Sequence, residues 1–104
     1  MRYDEQANGT EITTRVNEDF EIVLSEVRTA GYRWTISENG EPILQLTQEV
    51  SLPNAAGIGG AGQRQWRFHA ASPGETEIRI EYARSWQKTS EPARTFALKV
   101  RAQS

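Results

Sequence analysis

Thr76, Ile78, Ile80 and Tyr82 alternate strictly with Glu77, Arg79 and Glu81. A period of two puts one set of side chains on each face of an extended chain, whereas a helix would scatter the same residues around its circumference. One face is apolar and the other charged, so the segment predicts a half-buried strand that needs a second layer over it. The pattern recurs along the chain. Phe20, Ile22 and Leu24 alternate with Glu21, Val23 and Ser25, while Trp66, Phe68 and Ala70 alternate with Arg67 and His69. Phe96, Leu98 and Val100 alternate with Ala97, Lys99 and Arg101. Tyr32, Trp34 and Ile36 share a face, as do Leu44, Leu46 and Val50, with Gln48 interrupting the apolar run. Glu11 to Val16 reads as a weaker first strand, and no segment sustains a 3.6-residue period.

Turn chemistry separates these segments. Asn17-Glu18-Asp19, Asn39-Gly40 with Pro42, and Ser72-Pro73-Gly74 each break the alternation, and Asn-Gly is the strongest short turn signal of the three. Pro53 to Gly62 and Ala83 to Pro92 have no periodicity and read as two long loops. The polar segment Met1 to Gly9 is expected to fray. About seven to eight short strands with turns between them predict an all-β chain folded as an immunoglobulin-like β-sandwich. Its expected core is Trp34, Trp66, Phe68, Ile78, Ile80, Phe96 and Leu98. With 104 residues, no internal repeat and no linker, residues 1–104 are expected to form a single domain.

Composition removes several functional classes. The formal charge of -2 and the lack of a basic run argue against a nucleic-acid partner. No apolar run approaches the roughly 20 residues of a spanning helix, so no membrane partner is expected. The chain has no Cys, which excludes disulfides, thiolate metal sites and a Cys nucleophile. No cluster of residues suggests a metal, so neither metal nor cofactor is expected. Met1-Arg2-Tyr3-Asp4-Glu5 lacks a signal-peptide core; the chain is expected to be cytoplasmic unless a leader has been removed.

Three stretches stand apart from the scaffold. The first is Thr29-Ala30-Gly31-Tyr32-Arg33-Trp34, a short segment between two strands. Gly31 can take a positive φ without a Cβ penalty, so this segment is expected to form a shaped, projecting loop. The second, Gly57-Ile58-Gly59-Gly60-Ala61-Gly62, spells out G-x-G-x-x-G. A dinucleotide site needs that motif between a strand and a helix; here a strand follows, so the glycines serve close backbone approach instead. The third is Arg84-Ser85-Trp86. Trp86 either folds back over a sheet edge or stands as an exposed anchor, and Trp and Arg are the residue types enriched at interface hot spots. His69, the sole histidine, alternates outward with no evident hydroxyl partner and makes a poor catalytic base. No catalytic residue is assigned.

In these three stretches the chain resembles the chagasin-type inhibitors of papain-family cysteine peptidases. That family carries Asn-Pro-Thr-Thr-Gly-Tyr/Phe-x-Trp in one loop, Gly-x-Gly-Gly in a second and Arg-Pro-Trp in a third. The first motif corresponds to Val27-Arg28-Thr29-Ala30-Gly31-Tyr32-Arg33-Trp34, which keeps the first Thr, the Gly, the aromatic and the Trp. The second is met literally by Gly57-Ile58-Gly59-Gly60, or, by spacing to the next strand, by Gly59-Gly60-Ala61-Gly62. The third is Arg84-Ser85-Trp86, with Ser in place of Pro. The order of motifs and strands agrees from about Asn17 to Val100.

The resemblance implies a non-enzymatic, monomeric inhibitor that wedges three loops into the active-site cleft of a papain-like cysteine peptidase. Thr29, with Ala30, Gly31 and Tyr32, would lie nearest the peptidase's catalytic Cys and His. Gly57, Gly59, Gly60 and Gly62 would grip one side of the cleft, and Arg84 and Trp86 the other. Two alternatives stand beside this reading: a binding module of the same fold that recognises a non-peptidase protein, and a small hydrolase built around His69.

Overall fold

The computed structural model describes residues 1–27, 32–53, 61–84 and 94–104. Eight strands are seen among them: β1 (Arg2–Tyr3), β2 (Thr10–Arg15), β3 (Asp19–Val27), β4 (Tyr32–Asn39), β5 (Leu44–Pro53), β6 (Ala61–Ala70), β7 (Gly74–Arg84) and β8 (Arg94–Gln103). They form two four-stranded sheets, ordered β1-β3-β6-β5 and β2-β8-β7-β4. This is the immunoglobulin-like sandwich that the alternation predicts, because each amphipathic sheet can bury its apolar face only against the other.

The inward positions are those read from the sequence. Phe20, Ile22, Leu24, Trp66, Phe68 and Ala70 line one sheet, and Trp34, Ile78, Ile80, Phe96, Leu98 and Val100 line the other, all buried in one cluster. Phe20 stands directly opposite Phe68, with the rings stacked 5.4 Å apart. Each such side chain removed from water is worth about 1.5–3 kcal/mol.

Three expectations change. First, Met1 to Gly9 is not frayed. β1 pairs in parallel with β3, a 3-10 turn follows at Glu5–Ala7, and the Gly9 N–H donates to the Ala97 carbonyl at 2.7 Å. The polar composition hid this because backbone groups make most of these contacts. Second, Val50 does not share a face with Leu44 and Leu46. Leu44 and Leu46 stand opposite Ala70 and Phe68, but the register shifts between Leu46 and Gln48, leaving Glu49 opposite Trp66 and Val50 opposite Gln65. One extra residue in a ladder reverses which side every later residue faces. Third, the borders of the two predicted long loops are strand, and residues 54–60 and 85–93 lie outside the described residues. β5 continues to Pro53 and β6 starts at Ala61, so Gly62 lies in a ladder between Glu26 and Pro53. Likewise Ala83 and Arg84 belong to β7.

The turns at Asn39-Gly40 and at Ser72-Pro73-Gly74 each carry the chain from one sheet to the other instead of closing a hairpin. Gly74 has φ +142°, and a Cβ there would come within 2.7 Å of Ile43 Cδ1. Glycine answers both constraints at once, the backbone angle and the close approach.

Candidate functional site

β3, β5 and β7 run in one direction and β4, β6 and β8 return, as the antiparallel ladders require. The strand ends flanking the intervals 28–31, 54–60 and 85–93 therefore gather at one end of the sandwich. Val27 faces Ala61 and Gly62 faces Pro53 in one sheet. Tyr32 faces Arg84 and Tyr82 faces Arg94 in the other. The described strand residues that border three separate sequence motifs thus lie at one end.

Thr29, Ala30, Gly31, Gly57, Gly59, Gly60 and Trp86 lie outside the described residues. Tyr32, Gly62 and Arg84 are described as the strand residues that border the three intervals.

Trp34 organises the base of this end. It is 3% exposed, which agrees with the core role read from the sequence. Its indole Nε1 donates to the Ser25 carbonyl at 2.8 Å, and its backbone N–H donates to Glu26 Oε2 at 3.1 Å. Its ring lies 4.8 Å from the Tyr82 ring, and the Arg94 guanidinium sits 5.6 Å from its centroid, within cation–π range. One side chain therefore joins the end of β3, the start of β4, the end of β7 and the start of β8.

Toward this end of the first sheet the apolar inward positions give way to polar ones. Glu26, buried at 2% exposure, takes the next inward position after Phe20, Ile22 and Leu24. Arg64 stands opposite Leu24; its Nε donates to Glu49 Oε2 at 2.9 Å, its Nη2 bonds the same oxygen, and its Nη1 donates to Ser51 Oγ at 3.1 Å. The reading of the sequence missed Glu26. Continuing the Phe20/Ile22/Leu24 alternation by one more step finds it.

Glu5 completes the set from the N-terminal turn. β1 is only two residues long, so the edge of β3 beyond it has no strand partner among the described residues, and Glu5 Oε2 accepts the Ser25 N–H at 2.8 Å. Partial burial opposes ionisation of Glu5. Hydrogen bonds from Ser25 and its own backbone, with the positive charge of Arg94, outweigh this and hold its carboxyl below the usual range. A carboxyl depressed in the fold adds stability above its unfolded pKa, about 4.3, and loses it as pH falls through the lower folded value. Glu5→Gln is expected to cost about 1 kcal/mol at pH 7. That difference should shrink in acid, below about pH 4. Urea melts of both proteins at pH 7 and pH 3 check this; identical curves at pH 7 would remove the bond from the account.

His69 lies at the far end. Its Nδ1 is 2.6 Å from Asp19 Oδ1, and Asp19 stands directly opposite it at the start of β3. It lies eight residue steps along β6 from Ala61, roughly 27 Å at strand rise. Among the described residues no hydroxyl is paired with its ring, so the hydrolase reading gains no support there.

A two-sheet sandwich whose strand ends gather at one end is a scaffold suited to a binding protein. The comparisons then give the family. Residues 13–100 match the chagasin family peptidase inhibitor I42, and the chain belongs to that family. It is 33% identical over 104 residues to Amoebiasin-1 of Entamoeba histolytica, covering 99% of this chain and all of that protein. Its fold is like that of the cysteine protease inhibitor EhICP2 of Entamoeba histolytica (TM-score 0.86, 22% identity, 98% of this chain and 93% of that one). It is also like that of PbICP-C, solved in complex with falcipain-2 (TM-score 0.68, 20% identity, 99% and 90%). Membership of an inhibitor family places the chain outside the enzymes.

Proposed function

We propose that this chain is a reversible, non-covalent inhibitor of papain-like cysteine peptidases and that its binding surface is the end where the three intervals meet. The observation that carries this reading is the convergence of the strand ends beside the family's three motifs. Thr29, Ala30, Gly31 and Tyr32 form the central wedge. Gly57, Gly59, Gly60 and Gly62 lie to one side, with Arg84 and Trp86 to the other. The complex of the structural neighbour PbICP-C with falcipain-2 supports a peptidase as partner. No covalent bond through sulfur is available, since the chain has no Cys. A wedge of this kind occludes the cleft by position, and a standard interface of about 800 Å² on each side is enough for tight binding when the loops are preorganised.

The test is titration against a panel of papain-like peptidases with a fluorogenic peptide substrate, where full recovery of activity on dilution is expected. Absence of inhibition across the panel would favour the alternative of a binding module for a non-peptidase protein. Within the same assay Gly31→Val should weaken inhibition at least about tenfold, because a β-branched residue resists positive φ. Ala30→Thr, which restores the family's second Thr, should weaken it less. Equal inhibition by wild type and Gly31→Val would show that no glycine is needed there.

A further inference from the structure

We infer that Glu26 is a positioning residue for the central wedge: it holds the two stems of the β3–β4 connection together without touching the peptidase. This deepens the inhibitor reading and rests on it for the binding measurement.

The starting point is that Glu26 occupies a site where the alternation would place an apolar residue. It is the only charged residue in the buried set among the described residues. A carboxylate out of water is costly unless donors hold it. One donor is the Trp34 N–H, in a buried hydrogen bond of 3.1 Å. Trp34 lies on β4, an edge strand whose partner among the described residues is β7, so Glu26 supplies an acceptor where a neighbouring strand would otherwise do so. The Trp34 Nε1 bond to the Ser25 carbonyl at 2.8 Å runs parallel to it in the sequence. Together the two bonds tie residues 25 and 26 to residue 34 across the gap between the sheets. Val27 and Tyr32, the residues next to the wedge, lie one to two residues beyond these bonds on either side.

A fixed pair of stems narrows what the short connection between them can adopt. If Glu26 raises the fraction of molecules with a binding-competent wedge, its loss lowers the apparent association rate by that fraction. The dissociation rate stays the same, because the contacts in the complex are unchanged. A residue touching the peptidase would change dissociation instead, and one that only stabilises the fold would change neither.

The experiment compares wild type, Glu26→Leu, Glu26→Gln and Trp34→Phe by stopped-flow association and dissociation with an inhibited peptidase. NMR order parameters of the Ala30 and Gly31 amides are measured without peptidase. Glu26→Leu should associate about tenfold or more slowly and dissociate within about twofold of wild type, with lower order at both amides. Glu26→Gln should associate within about threefold of wild type, because its amide oxygen still accepts the Trp34 N–H. Trp34→Phe, which loses the Ser25 bond and part of the buried ring but keeps the backbone N–H to Glu26, should fall between. Unchanged association of Glu26→Leu, or a change confined to dissociation, overturns the inference. If Glu26→Leu does not fold, the decision passes to Glu26→Met, which keeps the length of the side chain without its acceptor, and whose unchanged association would overturn it. If wild type inhibits no papain-like peptidase, the inhibitor reading fails. The NMR comparison then decides alone: lower order in Glu26→Leu supports the positioning role, and equal order overturns it.

Discussion

Trp34→Ala is expected to cost about 3–5 kcal/mol of folding stability, the range for truncating a buried aromatic. The side chain is 3% exposed and contacts the ends of three other strands, so the cavity has little room to collapse. Its removal also frees the Ser25 carbonyl and takes the support from the Tyr82 ring and the Arg94 guanidinium. Domains of this size have a total stability of about 5–15 kcal/mol. The loss is therefore a large share of the whole, and a urea midpoint should fall by about 1.5–3 M. Inhibition should weaken as well, since the residue joins the stems of two of the three loops. A melt within about 1 kcal/mol of wild type would mean that Trp34 is dispensable to the core.

Trp86→Ala should behave in the opposite way. It is expected to cost about 2 kcal/mol or more of binding, roughly thirtyfold in affinity. Its effect on stability should stay within about 1 kcal/mol, because it lies in no alternating apolar run and little core area is lost. Denaturant melts of both mutants, with a titration against an inhibited peptidase, separate the two roles. A Trp86→Ala protein that melts early yet binds normally when folded would make Trp86 a packing residue. The surface would then rest on Thr29 and the glycine segment.

The two tryptophans show how far a chain like this can be read without its structure. Trp34 falls on a face with Tyr32 and Ile36, so its burial follows from period alone. Trp86 falls in no period, and only its neighbours Arg84 and Ser85, through the family resemblance, give it a role. Asn39-Gly40 was legible as a turn, but not as a crossing between sheets. A turn residue reports a local backbone angle and not the partner of the strand that follows. The reversal of β5 at the shift between Leu46 and Gln48 left one trace, the polar Gln48 in an apolar run. Glu5 and Arg94 left none, because their roles depend on Ser25 and Trp34, which lie far from them in sequence.

The alternation of side chains, the turn positions and the order of three motifs are properties of neighbouring residues, and the sequence by itself determined them. Strand partnership was decided only by the tertiary structure. Thr10 pairs with Leu98 in parallel, Val27 with Ala61, and Tyr32 with Arg84. Backbone hydrogen bonds carry no side-chain label, so many pairings satisfy the same alternation. The one adopted is the one that closes both apolar faces together and leaves few edges unpaired. That choice brings Glu26 beneath Trp34, and it brings to one end the strand residues that border the three motifs.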